Sequence, residues 1–173
     1  GQGLAAGKLR PGGKVSKIWL LKTEPDTFSI EDLQACPDGT SGWDGVRNYQ
    51  ARNRLRDEMD NGDAVLIYHS SCAEPAIVGE AGVASAPYPD PSQFDPDSTG
   101  YDPRSTTDTP RWYQVDIRFV CMYPQPLTLK TLRQDPEFAD MELVIRPRLS
   151  VQKVTERQFQ RIQQCCQSTR ASA

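Results

Sequence analysis

The chain has 173 residues, of which 37% are hydrophobic, and this length suits one globular domain with one core. Its 20 Lys and Arg residues stand against 23 Asp and Glu residues, a formal net charge of -3, which excludes a general attraction of the whole molecule to phosphate backbones. Any nucleic-acid role therefore requires a local basic patch.

Cysteine usage and hydropathy narrow the class of protein further. The five cysteines are odd in number and contain no CxxC pair, which argues against a disulfide framework and a thiolate zinc site and favours an intracellular, reducing location. No apolar run approaches the ~20 residues that cross a bilayer, so we expect no membrane partner. Glycine-rich residues 1–16 are predicted to be a flexible tail or an expression remnant.

The first half of the domain alternates short strands and helices. KIWLLK, residues 17–22, predicts a buried strand that ends at TEPD, and FSIEDLQAC predicts a short helix with Ser29 and Asp32 in capping-box register. A second helix is predicted from Asn48, because apolar residues recur there at four-residue spacing: Ala51, Leu55 and Met59. DAVLIYHS and AIVGEAGVAS then predict two strands joined by a turn.

The second half opens with a long irregular segment. Residues 87–110 contain six prolines and five aspartates, which predicts a loop. RWYQVDIRFVCMY, residues 111–123, alternates at period two and is the most strand-like segment of the chain. LTLKTLR predicts one or two helical turns, MELVIRPRLSV a strand interrupted by proline, and residues 155–164 a closing helix capped by Thr155 and Gln158.

These elements predict a mixed, mainly β fold of about five or six strands and three or four helices. That order fits a curved sheet or open barrel with helices at its ends, and not a doubly wound parallel sheet. We expect one domain over residues 17–164, followed by a C-terminal tail over residues 165–173.

Few residues are available for catalysis or metal binding. His69 is the one histidine and no nucleophile-elbow pattern exists, so a hydrogen-bonded side chain at a strand end is the simpler interpretation. DPDSTGYDPRST has parts of a calcium loop, but Thr106 replaces its final glutamate. The sequence therefore predicts no metal and no cofactor. An enzyme acting on nucleotides stays an alternative, with Glu24 or Asp44 and His69 as acid-base partners.

GWDGVRNYQARNRLR, residues 42–56, surrounds the apolar helix stripe with arginines and aromatic rings. Arg47 and Arg54 lie on one flank, and the like-charged pair Arg52 and Arg56 on the other, at a cost of ~0.2–0.5 kcal/mol unless an anion lies nearby. The face is either solvated, with acidic residues as partners, or it contacts phosphates while Trp43 stacks on an unpaired base. Trp43 fits a core position equally well.

Two further places repeat this pairing of guanidinium groups with aromatic or hydroxyl groups. They are Arg111 beside Trp112, and the run RPRLS at residues 146–150. Three such places favour a pocket over a single exposed helix face.

Long strings of this sequence resemble one known family. WLLKTEP, WDGVRNYQARNRLR, GDAVLIYHS, IVGEAGV, YPDPSQFDP, YDPRS, PRWYQVDIRFV and RLSVQKVTERQF follow the order and spacing of the EVE domain, over residues 18–162. The resemblance implies a PUA-like pseudobarrel with flanking helices, related to YTH and ASCH domains that hold modified or unpaired nucleobases. It implies a non-enzymatic reader, with modified cytosine in DNA among the ligands.

The resemblance also implies where a base would bind. The cleft would be lined by residues from four segments: Lys22, Thr23, Glu24, Trp43, Asn48, His69, Ser70, Arg146, Leu149 and Ser150. In this hypothesis Trp43 stacks on the base, Asn48 and Ser70 read its edge, and Glu24 accepts from an exocyclic amine. Basic and aromatic residues would complete the nucleic-acid surface: Arg47, Arg52, Arg111 and Trp112.

The predicted partner is a nucleic acid with a modified base, DNA being favoured over RNA. A protein partner bound through the loop of residues 87–110 stays open, and the net acidity favours it slightly. We expect an intracellular location, the cytoplasm of a bacterium or the nucleus of a eukaryote.

Overall fold

The computed structural model describes residues 16–172, and the tail predicted over residues 1–16 lies outside them except for Ser16. Eight strands occur in this described part: β1 (Ile18–Thr23), β2 (Thr40–Gly42), β3 (Ala64–His69), β4 (Ala76–Val83), β5 (Tyr88–Pro89), β6 (Tyr113–Gln114), β7 (Asp116–Thr128) and β8 (Val151–Val154). The helices between and after them are α1 (Ile30–Ala35), α2 (Tyr49–Asn53), α3 (Leu129–Gln134), α4 (Glu142–Ile145) and α5 (Glu156–Ser172).

Six strands form one curled sheet in the order β2-β7-β4-β3-β1-β8. The β1–β3 pair is parallel and the other pairs are antiparallel, while β5 and β6 form a separate small ribbon. Register shifts within β4 and its neighbours bend the sheet, as β-bulges do. The predicted mainly β pseudobarrel of five or six strands with flanking helices is confirmed.

The sheet carries a hydrophobic core on each face. Trp19 and Leu21 of β1 point into a first cluster that α1 and α2 cover. Ile18 and Leu20 point into a second cluster, which α3 and α5 cover. Because side chains alternate along a strand, the short apolar strands serve both clusters. The two faces of the sheet are therefore separate surfaces, with α2 on one and α5 on the other.

Local capping signals fix where the helices begin. The capping box of Ser29 and Asp32 forms at α1, and Thr155 and Gln158 make the reciprocal pair at α5, with both bonds at 3.1 Å. Helix α5 runs past the predicted end at residue 164 to Ser172, because Cys166 is buried in the second cluster and extends its apolar face.

Two segments differ from their predicted form because of distant contacts. The α-helix that follows Asn48 ends at Asn53, and the chain continues as a π turn over Arg54–Glu58. The predicted apolar stripe of Ala51, Leu55 and Met59 is nevertheless buried. The strand of residues 111–123 breaks at Val115, whose carbonyl accepts the Trp43 amide at 2.8 Å. These departures come from long-range contacts that local periodicity does not contain.

The strand predicted for MELVIRPRLSV is wrong over most of its length. Glu142–Ile145 is helical, a turn follows, and β8 begins only at Val151. Pro147 lacks an amide hydrogen for a strand ladder, and Arg54 binds the Glu142 carboxylate from another part of the chain.

Gly79→Ala is expected to lower the free energy of unfolding by about 3 kcal/mol, at the upper end of overpacking costs. A Cβ at Gly79 would collide with the Cys121 carbonyl oxygen of β7 and with Ile30 Cδ1, and would lie 3.1 Å from Met122 Cα. The backbone of a central strand cannot move away without breaking its ladder. Urea denaturation measures the change, and a loss below about 0.5 kcal/mol would contradict this packing.

Candidate functional site

The carboxyl ends of the parallel strands β1 and β3 meet at one edge of the sheet. There the Thr23 carbonyl accepts the Ser70 amide at 2.9 Å, and the Ser150 carbonyl accepts the Lys22 amide at 3.2 Å. Lys22 Nζ also donates to the Pro147 carbonyl. Three distant segments of the sequence, all named by the predicted site, therefore come together at this edge.

A cleft of about 390 Å³ opens beside that edge, between the start of α2 and the turn after α4. It is lined by Asn48, Gln50, Arg146, Pro147, Arg148 and Leu149. Three of these, Asn48, Arg146 and Leu149, belong to the predicted site. Lys22 reaches the same turn through its bond to Pro147. Pro147 and Leu149 supply apolar surface, and the other lining side chains are polar or basic.

The cleft is positively charged. Arg146 and Arg148 are exposed on its rim, and the nearest carboxylate to Arg146, that of Glu142 at 3.9 Å, is already bound by Arg54. Partial burial lowers the pKa of Lys22, because desolvation disfavours its charged form. A cation that is partly stripped of water gains from an anionic ligand, so this arrangement suits a phosphate or another anion.

Asn48 presents a hydrogen-bond donor to the cleft. Its Oδ1 accepts the Ala51 amide at 3.0 Å and caps α2, so the side-chain orientation is fixed. Asn48 is exposed, and its Nδ2 has no acceptor among the described residues, so its two hydrogens are available to a ligand. Because Oδ1 is held by the helix cap, the Nδ2 group is directed away from the helix.

A buried ion pair holds the two walls of the cleft together. Arg54 donates to both carboxylate oxygens of Glu142, at 2.6 and 2.9 Å, and to the Val151 carbonyl at 3.1 Å. Burial alone would raise the pKa of Glu142, but the bonds from Arg54 and from the Lys153 amide outweigh burial and lower that pKa. The sequence pattern places Arg54 on a helix flank and does not predict this role.

Arg47 fastens the loop of residues 87–110. Its guanidinium donates to Asp90 at 3.0 Å, to Ser92 at 3.0 Å and to the Gly100 carbonyl at 2.7 Å. It also lies 5.4 Å from the ring of Trp112, which is 5% exposed and bonds Asp102 at 2.8 Å. The proline-rich loop is therefore ordered, and most donors of Arg47 have partners inside the protein.

The exposed Tyr49 and the partly buried Arg52 and Arg111 form a group next to the cleft. The Tyr49 ring stacks on Trp112, with centroids 4.8 Å apart and an interplanar angle of 23°. Arg52 lies 4.8 Å from the Tyr49 centroid and donates to the Arg111 carbonyl at 2.7 Å. Tyr49 is not among the residues predicted from the sequence, although an aromatic residue directly after the predicted Asn48 is a signal for it.

Trp43 lies in the first core cluster and is 8% exposed. Its ring meets Phe28 edge-on at 6.0 Å, and Phe28 accepts the Thr23 hydroxyl at 2.6 Å. Trp43 therefore has the contacts of a core residue and also supports the loop that follows β1.

The potential acid-base residues have other contacts. His69 Nε2 accepts the Ile30 amide at 3.1 Å, and desolvation lowers the pKa of His69, so the ring is neutral. Desolvation and the nearby Asp90 raise the pKa of Asp44. Glu24 is exposed. Within residues 16–172, no group of three His, Cys, Asp or Glu side chains is arranged to hold a metal ion.

No helix of the described chain combines the length and the apolar character that a membrane span requires.

A curled, mainly β sheet with a basic cleft at the ends of two parallel strands defines a PUA-like domain. The chain belongs to the EVE domain family, whose sequence model matches residues 17–165. The resemblance seen in the sequence strings is thereby confirmed.

Named relatives cover most of the chain. Mouse thymocyte nuclear protein 1 is 44% identical over 166 residues, which span 86% of this chain and 73% of the mouse protein. The structure of a hypothetical protein from Leishmania major is similar with a TM-score of 0.85 and 41% identity, covering 90% of this chain and 97% of that one. The human THYN1 protein in complex with 5-methylcytosine containing DNA is similar with a TM-score of 0.81 and 40% identity, covering 85% and 95%.

Proposed function

We propose that this chain is a non-enzymatic nucleic-acid-binding domain that holds a modified, cytosine-type base of DNA in the cleft between Asn48 and the 146–149 turn. The observation that carries the proposal is the free Nδ2 donor of Asn48 in a cleft rimmed by Arg146 and Arg148. The DNA bound to the human relative, which contains 5-methylcytosine, supports the choice of base.

In this proposal, the contacts made in the cleft offset the free-energy cost of extruding a base from its stack. Unstacking a base costs a few kcal/mol, which phosphate contacts from Lys22, Arg146 and Arg148 would offset. Asn48 Nδ2 would donate to the ring nitrogen or carbonyl oxygen on the pairing edge of cytosine, and Leu149 would contact a 5-methyl group, as apolar side chains do with thymine.

The other predicted site residues have supporting parts in this proposal. Thr23, His69, Ser70 and Ser150 hold the sheet edge, Trp43 supports the wall behind it, and the exposed Glu24 can accept from an exocyclic amine. The neutral His69, with its Nε2 already bonded to Ile30, favours binding over acid-base chemistry.

Asn48→Asp tests the cleft without removing the helix cap. Aspartate caps as well as asparagine, so we expect an unchanged melting temperature, whereas loss of the two donors should weaken binding of a methylated oligonucleotide by about 10-fold or more. Gln50→Glu is the matched control, because it adds the same charge to the same cleft and keeps the Asn48 donors.

Fluorescence anisotropy with cytosine and 5-methylcytosine oligonucleotides measures both variants. The proposal predicts that Asn48→Asp loses the preference for the methylated base and that Gln50→Glu lowers both affinities but keeps the preference. A wild-type preference in Asn48→Asp would remove Asn48 from the site.

A further inference from the structure

An aromatic ring stands exposed and fixed directly beside the cleft. This ring belongs to Tyr49, which is 49% exposed and lies between the cleft-lining residues Asn48 and Gln50. Its stack on the buried Trp112 continues to Arg47, 5.4 Å from the Trp112 ring, and Arg47 is tied to the 87–110 loop. The ring is therefore held in place by packing, although much of its surface contacts solvent.

Two guanidinium groups lie beside this ring. Arg52 lies 4.8 Å from the Tyr49 centroid, and Arg111 Nη1 donates to the Tyr49 hydroxyl at 3.4 Å. Neither arginine forms an ion pair with a carboxylate among the residues described, whereas Arg56 one turn further is bonded to Asp57. In a chain of net charge -3, two arginines without a carboxylate in ion-pair contact beside an exposed ring favour a ligand that is both anionic and aromatic.

We propose that Tyr49, Arg52 and Arg111 bind the nucleotide next to the one held in the cleft. Trp112 stacks on the Tyr49 ring and the Arg52 guanidinium lies over it, so the neighbouring base would displace Arg52 from the ring. The phosphate of that nucleotide would then contact the Arg52 and Arg111 guanidinium groups, the combination by which proteins hold unpaired strands. This inference rests on the proposed function and extends it from one base to a short unpaired stretch of the same strand. It accounts for the like-charged Arg52 and Arg56, of which only Arg56 is hydrogen-bonded to a carboxylate, that of Asp57.

The test compares two ligands that share the base for the cleft. One is 5-methyl-2′-deoxycytidine monophosphate, and the other is a single-stranded pentanucleotide with 5-methylcytosine at its centre. Tyr49→Ala should weaken binding of the pentanucleotide by about 10-fold and leave the monophosphate within about twofold, because only the pentanucleotide reaches the platform. Tyr49→Leu still covers Trp112 but has no aromatic face, so it should behave like Tyr49→Ala.

The arginines are tested by salt dependence. Arg52→Gln combined with Arg111→Gln should lower the slope of log affinity against log salt for the pentanucleotide by about 0.7, the value for one phosphate contact on a single strand. Arg157→Gln, which removes an exposed charge from α5 on the opposite face of the sheet, should leave the slope unchanged.

The outcomes separate this inference from the proposed function. Wild-type protein that prefers the methylated base, with Tyr49→Ala binding the pentanucleotide as tightly, overturns the platform alone. An equal loss on both ligands overturns it too, because Tyr49 would then belong to the cleft. Wild-type protein that binds neither ligand more tightly than the same ligand with unmethylated cytosine contradicts the proposed function and this inference together.

Discussion

Arg54→Ala is expected to lower the free energy of unfolding by about 3–5 kcal/mol, the usual cost of removing one partner of a buried ion pair. The Arg54 side chain is 9% exposed and the Glu142 side chain 18%, so the variant leaves a carboxylate with little water and without its bidentate partner. It also frees the Val151 carbonyl. Chemical denaturation followed by tryptophan fluorescence measures the change.

Arg56→Ala is the matched control in the same π turn. Arg56 is exposed and pairs with its neighbour Asp57, so its removal should change stability by less than about 0.5 kcal/mol. Replacing Arg54 and Glu142 together by Met should cost less than Arg54→Ala, because no buried charge is left unpaired. Equal effects of Arg54→Ala and Arg56→Ala would show that the pair does not hold the walls of the cleft.

Asp90→Ala is the second substitution with a large expected effect, about 3 kcal/mol. Asp90 is fully buried and accepts bonds from the Gly45 amide at 2.8 Å, from Arg47 at 3.0 Å and from the Ser92 hydroxyl at 2.6 Å. Its loss leaves the Arg47 charge without a carboxylate and releases the loop of residues 87–110. Asp97→Ala, an exposed position in that loop, should change stability by less than about 0.5 kcal/mol.

The contribution of Asp90 to the free energy of unfolding is expected to depend on pH. Burial alone would raise the pKa of Asp90, but the bonds from Ser92, the Gly45 amide and Arg47 outweigh burial, and the folded protein has a lowered pKa. A lowered pKa stabilises the fold above the unfolded value of about 3.9 and loses that contribution as the pH falls through the folded value. The difference between wild type and Asp90→Ala should therefore shrink in acid, and a difference that grows would contradict the assigned bonds.

The strands and helix starts could be predicted from the sequence because their causes are local. The apolar runs of β1, β3 and β4 and the capping pair of Ser29 and Asp32 need only neighbouring residues. The turn after α4 could not be predicted in the same way. Its conformation depends on Arg54, which lies 88 residues from Glu142 in the chain.

The candidate site could likewise be predicted from the sequence only in part. The resemblance to EVE domains names Asn48, Arg146 and Leu149, and these residues do line one cleft. The separate roles of Arg47 and Arg52 were not accessible from their spacing, because the roles depend on Asp90 and Tyr49 as partners. Sequence patterns could show that arginines and rings cluster, but not which guanidinium groups remain available to a ligand.

The most direct test of the central claim is a titration of the wild-type protein with two oligonucleotides that differ only in one central cytosine or 5-methylcytosine. Both affinities are measured at about 50 and 200 mM salt, because phosphate contacts weaken steeply with salt, whereas the contacts of a base in a cleft do not. We expect at least roughly tenfold tighter binding of the methylated strand, with the ratio retained at the higher salt concentration. Equal affinities that both fall away with salt would contradict a base-reading cleft.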